Sequence, residues 1–315
     1  MKLYHTIVGA TALVMAAAVP ALAEYPDRPV TLLIPFSPGG GSDVGARTFQ
    51  PYLEKCLGGS IVILNKPGAG GELGFAELAA SDPDGYKIGY LNMPNMASGA
   101  ITKEATWSID SFAYVGNMIG SRITLSVPKN SPIQTLDDLV ALGKSSGPLS
   151  LSVSGIGGDD HLSSLQFAKL VGIEFTVIPF GDGASSRAAL LGGNVQVGSM
   201  SNSEAANFQE EFRTLGVMDN ERTPFLPDIA TFKEQGYDIV GGSTQVIGAP
   251  AGTPKEIVQK WSDCLGKVAA DPAFLEEAKK RALPLSYMTG EQAEAFVRKE
   301  NEALKALWAS DPWIK

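Results

Sequence analysis

Residues 34–43 read Ile-Pro-Phe-Ser-Pro-Gly-Gly-Gly-Ser-Asp, a glycine loop set between an apolar run and a helix-like stretch. That order suits an anion. Gly39, Gly40 and Gly41 let backbone N–H groups turn toward a ligand at close range, and a helix start adds its positive end. Phe36, Ser37 and Ser42 flank the glycines, and the serines offer hydroxyls. The loop has neither the Gly-Lys-Ser/Thr of a P-loop nor a G-x-G-x-x-G pattern, so nucleotide phosphates match it poorly. The plain alternative is a tight βα turn that binds nothing. Asp43 also has two uses: it accepts a hydrogen bond from a ligand, or it favours the first turn of its own helix.

Three more loops have related chemistry. Residues 65–74 contain G-x-G-x-x-x-G, but after the second strand instead of the first, which argues for a closely packed helix start over a cofactor site. Gly155, Gly157 and Gly158 precede Asp159-Asp160-His161, and Phe180-Gly181-Asp182-Gly183 follows the next apolar run. Both lie where a strand passes to a helix, with free N–H groups at the helix start. Facing the first loop across a cleft, they would hold a ligand with carboxylates. His161 is either a base with Asp159 or Asp160 beside it, or a ring that hydrogen-bonds backbone and locks its loop.

Composition limits the chemistry further. Only two histidines exist, His5 and His161, and His5 lies in an N-terminal segment with a lysine, an apolar run and Ala21-Leu22-Ala23. This pattern is a secretory signal peptide over residues 1–23, with cleavage after Ala23. The remaining histidine cannot build a two-histidine zinc site, and no G-x-S-x-G elbow occurs. We expect no metal and no cofactor. Cleavage removes one lysine and no acid, so the net charge moves from −9 to −10. With no basic run, nucleic acid and anionic membrane surfaces are poor partners. Cys56 and Cys264 would meet an oxidising compartment, which permits a bridge, but their spacing leaves it open.

The elements that position these loops alternate. Apolar runs at 30–35, 60–64, 86–91, 113–119, 123–127, 149–153, 175–178, 195–199 and 213–217 predict strands. Helical patterns at 43–57, 71–81, 135–145, 159–170, 183–191 and 201–209 fall among them. This rhythm predicts α/β architecture with largely parallel sheets, twice over. A strand near 240–249 leads back to the first unit, and residues from Pro254 to about Leu307 read as nearly all helical, broken at Leu283-Pro284. Thr135, Thr253 before Pro254, and Thr289 with Gln292 are the helix-start signals. We therefore expect a signal peptide at 1–23, lobe 1 at 24–122 plus 243–315, and lobe 2 at 123–242. Ligands in such sheets sit at the carboxyl ends of strands.

In this order the motifs resemble the Bug family, periplasmic solute receptors of tripartite tricarboxylate transporters. The resemblance rests on Tyr25-Pro26-Asp27-Arg28-Pro29-Val30, the loop at 35–43, Asn65-Lys66-Pro67-Gly68-Ala69-Gly70-Gly71, and Pro83-Asp84-Gly85-Tyr86. It continues through Gly157 with His161-Leu162, Leu190-Leu191-Gly192-Gly193, residues 226–231 and residues 249–254. It implies a two-lobed periplasmic-binding fold, type II-like, each lobe a mostly parallel sheet flanked by helices. It implies a small carboxylated solute caught between the lobes by a monomer and delivered to membrane transporter subunits. The alternatives are a sensor feeding a membrane signalling receptor and a secreted hydrolase using His161. By position, the ligand residues are Phe36, Ser37, Gly39–Asp43, Gly155, Gly157, Gly158, Gly181 and Gly183. Phe180 and Asp182 belong to the same loop, and Asn92, Pro94 and Asn95 follow a first-lobe strand and would shape specificity. Three departures stand out: Gly158 in place of a hydroxyl residue, Gly181-Asp182 in place of Lys-Gly, and Ser243-Thr244-Gln245 in place of a tryptophan. They would suit a ligand with fewer carboxylates, a larger body, or a polar or cationic group near Asp182.

Overall fold

The computed structural model describes residues 25–102, 104–310 and 312–313. The expected signal peptide lies outside the described residues. The first unit contains β1 (Val30–Ile34), α1 (Gly41–Leu57), β2 (Ile61–Asn65), α2 (Glu72–Ala79), β3 (Lys87–Met93) and α3 (Asn95–Thr102). β4 (Phe112–Pro128) leads out of it. The second unit continues with α4 (Leu136–Ser146), β5 (Leu149–Val153), α5 (Asp159–Val171), β6 (Phe175–Pro179), α6 (Gly183–Leu191), β7 (Val197–Ser201), α7 (Asn202–Asn207) and β8 (Phe212–Val217). The return is β9 (Gly242–Pro250), followed by α8 (Lys255–Ala269), α9 (Pro272–Lys280), β10 (Leu285–Thr289) and α10 (Gly290–Ser310).

The strands form one curled path, β2-β1-β3-β9-β4-β7-β5-β6, with β8 and β10 also paired to β4. Pairing is parallel where helices cross over, β1 with β2 and β3, and β5 with β6 and β7. The long strands β4 and β9 run antiparallel to their neighbours, so the sheet is mixed. β4 joins the two lobes. Its first part pairs with β9 as far as Arg122 opposite Gly242, and from Ile123 onward it pairs with β7 and β8. The chain crosses back at Gly241-Gly242, where the Ile123 N–H donates to the Gly241 carbonyl at 2.9 Å. A Cβ on Gly242 would collide with the Ser121 carbonyl oxygen, so the two crossing strands can only lie this close at a glycine.

Each lobe has its own core. In lobe 1, Phe49 of α1, Trp261 of α8 and Phe274 of α9 cover one face of the sheet, and Phe75, Trp107 and Val297 cover the other. In lobe 2, Leu125, Leu151, Phe167 and Phe232 form the centre. Burial on both faces explains why these strands read as continuous apolar runs. Cys56 of α1 and Cys264 of α8 form a disulfide, Cα atoms 5.6 Å apart, so two helices distant in sequence are tied over the lobe 1 core.

Several expectations need correction. The runs at 113–119 and 123–127 are one strand, because Gly120 and Arg122 between them remain paired to β9. The C-terminal region is not all helical: the break at Leu283-Pro284 leads into β10, whose Leu285, Met288 and Thr289 pair with β4. α8 begins one residue late, since Thr253 spends its hydroxyl on the Pro250 carbonyl and no side chain caps the helix. The signals at Thr135 and Thr289 do form reciprocal caps, with Asp138 and Gln292 respectively.

Candidate functional site

The loop between β1 and α1 is braced from below. Asn65, at the end of β2, donates to the Phe36 carbonyl and to Asp43 Oδ1, both at 3.0 Å. Asp43 also accepts the Gly39 N–H at 2.9 Å and pairs with Arg47 one turn along. Burial works to raise the Asp43 carboxyl, but the bonds from Arg47, Gly39 and Asn65 outweigh it and hold the pKa low. Asp43 therefore shapes the loop from within. Gly40 precedes α1 in extended conformation, and no side chain caps this helix. Its N-terminal turn is left open to a ligand.

Lobe 2 faces this turn with acids. α5 also lacks a side-chain cap, but it begins with Asp159 and Asp160. Asp160 accepts the N–H groups of Ser154 and His161, the latter at 2.8 Å. α6 is capped by Asp182, which accepts the Ser185 N–H at 2.8 Å. Asp182 also takes a hydrogen bond from Ser37 Oγ of lobe 1 at 2.6 Å, directly across the cleft. Glu204 of α7 is buried and paired with Arg187. Burial raises the carboxyls of Asp159 and Asp160, and repulsion from Asp159 adds to the rise at Asp160. The helix starts of lobe 2 are thus already served by the chain's own carboxylates.

The floor is a polar row on the sheet. Asn92 of β3 lies opposite Gln245 of β9, and Ser121 of β4 lies opposite Ser243 of β9. Ser243 is two residues from Gln245, so strand alternation puts all four on one face. Ser121 and Ser243 share a hydrogen bond at 2.8 Å, and Asn92 Nδ2 donates to Ser42 Oγ at 3.1 Å.

The structure brings Phe36, Ser37, Gly40, Gly41, Ser42, Asn92, Asn95, Asp182 and Gly183 to the lining of this cleft. Gly39, Asp43, Pro94, Gly155, Gly157, Gly158, Phe180 and Gly181 do not line it. Phe180 packs against the core around Leu190 and Met200. Gly155 and Gly157 instead meet lobe 1: Ser98 Oγ donates to the Gly157 carbonyl at 2.6 Å. Sequence reasoning missed Ser121, Ser201, Ser203 and Glu204 as cleft residues, and did not assign Ser243 or Gln245 to the lining. The available signal was a set of polar residues at the ends of apolar strands. No lysine or arginine lines the cleft among the described residues.

His161 points elsewhere. Its Nδ1 accepts the Gly157 N–H at 2.9 Å, which requires the neutral ring and fastens the loop at 155–158. Burial pulls its pKa from 6.5 down to about 4. The unfolded chain then binds a proton that the native state refuses, so stability falls as pH drops from about 6.5 to 4, by about 3 kcal/mol at full extent. NMR titration of the ring should give a midpoint below 5. A midpoint near 6.5 would contradict this bonding.

Two α/β lobes, joined by antiparallel crossing strands and closed over a cleft at strand ends and helix starts, define a periplasmic-binding-protein architecture. The structure superposes on the periplasmic binding protein BugD with a TM-score of 0.82 at 28% identity, covering 91% of this chain and 98% of that one. It also superposes on an R. palustris protein solved with adipate, with a TM-score of 0.83 at 26% identity, covering 91% and 96%. The sequence is 33% identical to the "UPF0065 protein in gbd 5'region" of Cupriavidus necator over 96% of this chain and 95% of that protein. The profile of the tripartite tricarboxylate transporter family receptor matches residues 45–310, and the chain belongs to that family.

Proposed function

We propose that this protein is a non-enzymatic receptor that captures a small carboxylated solute between its lobes in the periplasm and delivers it to a tripartite membrane transporter. The observation that carries this reading is the open N-terminal turn of α1 at Gly40-Gly41-Ser42, which faces the cleft with no side chain of its own to cap it. Such a turn stabilises a carboxylate through backbone N–H groups and the helix dipole, without a cationic side chain. The adipate in the R. palustris relative is a ligand of the same chemistry. The sole histidine beyond the expected signal peptide is committed to its own loop and does not line the cleft, which argues against the hydrolase that would use His161. The expected signal peptide and the family support export and a transporter partner.

Closure on the solute shifts an equilibrium between open and closed lobes. The bond from Ser37 to Asp182 spans the cleft and belongs to the closed form. Ser37→Ala should therefore weaken solute binding about tenfold, the scale of one hydrogen bond to a charged group, with unchanged thermal stability of the free protein. Calorimetric titration of both proteins with a bound carboxylate measures this. Equal affinities would remove Ser37 from the closing contacts.

A further inference from the structure

The cleft is divided between donors and acceptors. The open turn of α1 supplies donors on one side. Opposite it, the lobe 2 helix starts that would receive a second carboxylate are occupied by Asp160 and Asp182. A dicarboxylate would bring its far end against these acids. Separately, the floor holds two side-chain oxygens that lack partners. Asn92 and Gln245 are 4% and 5% exposed, both line the cleft, and Asn92 Oδ1 and Gln245 Oε1 accept no hydrogen bond among the described residues. Their amide nitrogens lie near serine hydroxyls, Asn92 Nδ2 at 3.1 Å from Ser42 Oγ and Gln245 Nε2 at 3.4 Å from Ser243 Oγ. Buried acceptors without donors are costly, and the cost is removed when a ligand supplies the protons.

Building on the receptor reading above, we propose that the solute is an aminocarboxylate. Its carboxylate rests on the α1 turn, and its ammonium group donates to Asn92 Oδ1, Gln245 Oε1 and the Asp159 carboxylate. An ammonium carries three N–H donors and no acceptor, which suits the unpartnered oxygens of Asn92 and Gln245 beside an acid. Ser243 hydrogen-bonds to Asp159 and lies two residues from Gln245, so the acid and the amide row are contiguous. A cation there also relieves the repulsion between the neighbouring acids Asp159 and Asp160. A hydroxyl in place of the amine supplies one donor only.

Calorimetric titration with matched pairs tests this: L-alanine against L-lactate, 4-aminobutyrate against 4-hydroxybutyrate, and 6-aminohexanoate against adipate. The expected result is binding of at least one amino member, at least tenfold tighter than its counterpart. Asp159→Asn and Gln245→Met should each narrow that gap severalfold. If the hydroxy acids or diacids bind equally or more tightly, the ammonium site is wrong and the receptor reading stands. If no member of any pair binds, the aminocarboxylate proposal falls, while the receptor reading is decided by the wider carboxylate panel. If the amino preference persists undiminished in both variants, the preference is real but these residues do not create it, and the proposed site is overturned. The wild-type comparison needs no variant to fold.

Discussion

Gly155→Val is expected to weaken solute binding by about 30- to 100-fold while the free protein keeps its thermal stability to within a few degrees. A Cβ at Gly155 would lie 2.8 Å from the Gly70 Cα of the opposite lobe, and that neighbour is main chain that cannot rotate away. Within lobe 1 Asn95 Nδ2 donates to the Gly70 carbonyl at 3.2 Å and holds that main chain in place, while Ser98 Oγ reaches Gly157 across the lobes. Valine would hold the lobes apart at this point. Apparent affinity then drops by the factor lost from the closed population, which is why a residue outside the cleft lining has a large effect. Gly155 belongs to neither lobe's apolar core, so unfolding should barely register the change. Calorimetry for affinity and thermal denaturation for stability separate the two. Unchanged affinity would mean that binding does not require this lobe contact.

The second large effect concerns stability alone. Replacing Cys56 and Cys264 together with serine should lower the unfolding free energy by about 3–5 kcal/mol. The bridge spans 208 residues, so its loss returns much conformational freedom to the unfolded chain. Cys264 is also buried against the lobe 1 core beside Trp261 and Leu265, where a serine hydroxyl finds no apolar welcome. Urea denaturation of the wild type, oxidised and reduced, and of the double variant should show the loss in both reduced and substituted forms. Neither cysteine lines the cleft, so solute affinity should be retained. A change below about 1 kcal/mol would mean that the long loop is already constrained without the bridge.

Features are legible in the sequence where one short segment determines the outcome. The caps at Thr135 and Thr289, the alternation of apolar runs with helices, and the open turn at Gly40–Ser42 all depend on neighbours within a few residues. The cleft floor was not legible in this way. Asn92, Ser121 and Gln245 meet only because β3, β9 and β4 lie side by side, and that pairing depends on the return of the chain from lobe 2. The loop at 180–183 shows a different limit. Its glycines suggested a second anion cradle, yet Asp182 stands in the N-cap position before Ser185 and occupies the helix start itself. The glycines at 155 and 157, expected at the ligand, make contacts between the lobes and do not line the cleft. β10 is not legible in the sequence, because five residues between two helices carry little pattern and the pairing partner is far back in β4.

The central claim is that this chain closes on a carboxylated solute. A thermal-shift panel of small dicarboxylates, hydroxy acids and aminocarboxylates tests it most directly, because any ligand that binds only the folded state raises the melting temperature with its concentration. The account predicts at least one panel member with a saturable rise, and a much smaller rise at equal concentration for Gly155→Val. A panel in which no carboxylate shifts the wild-type melting temperature would contradict it.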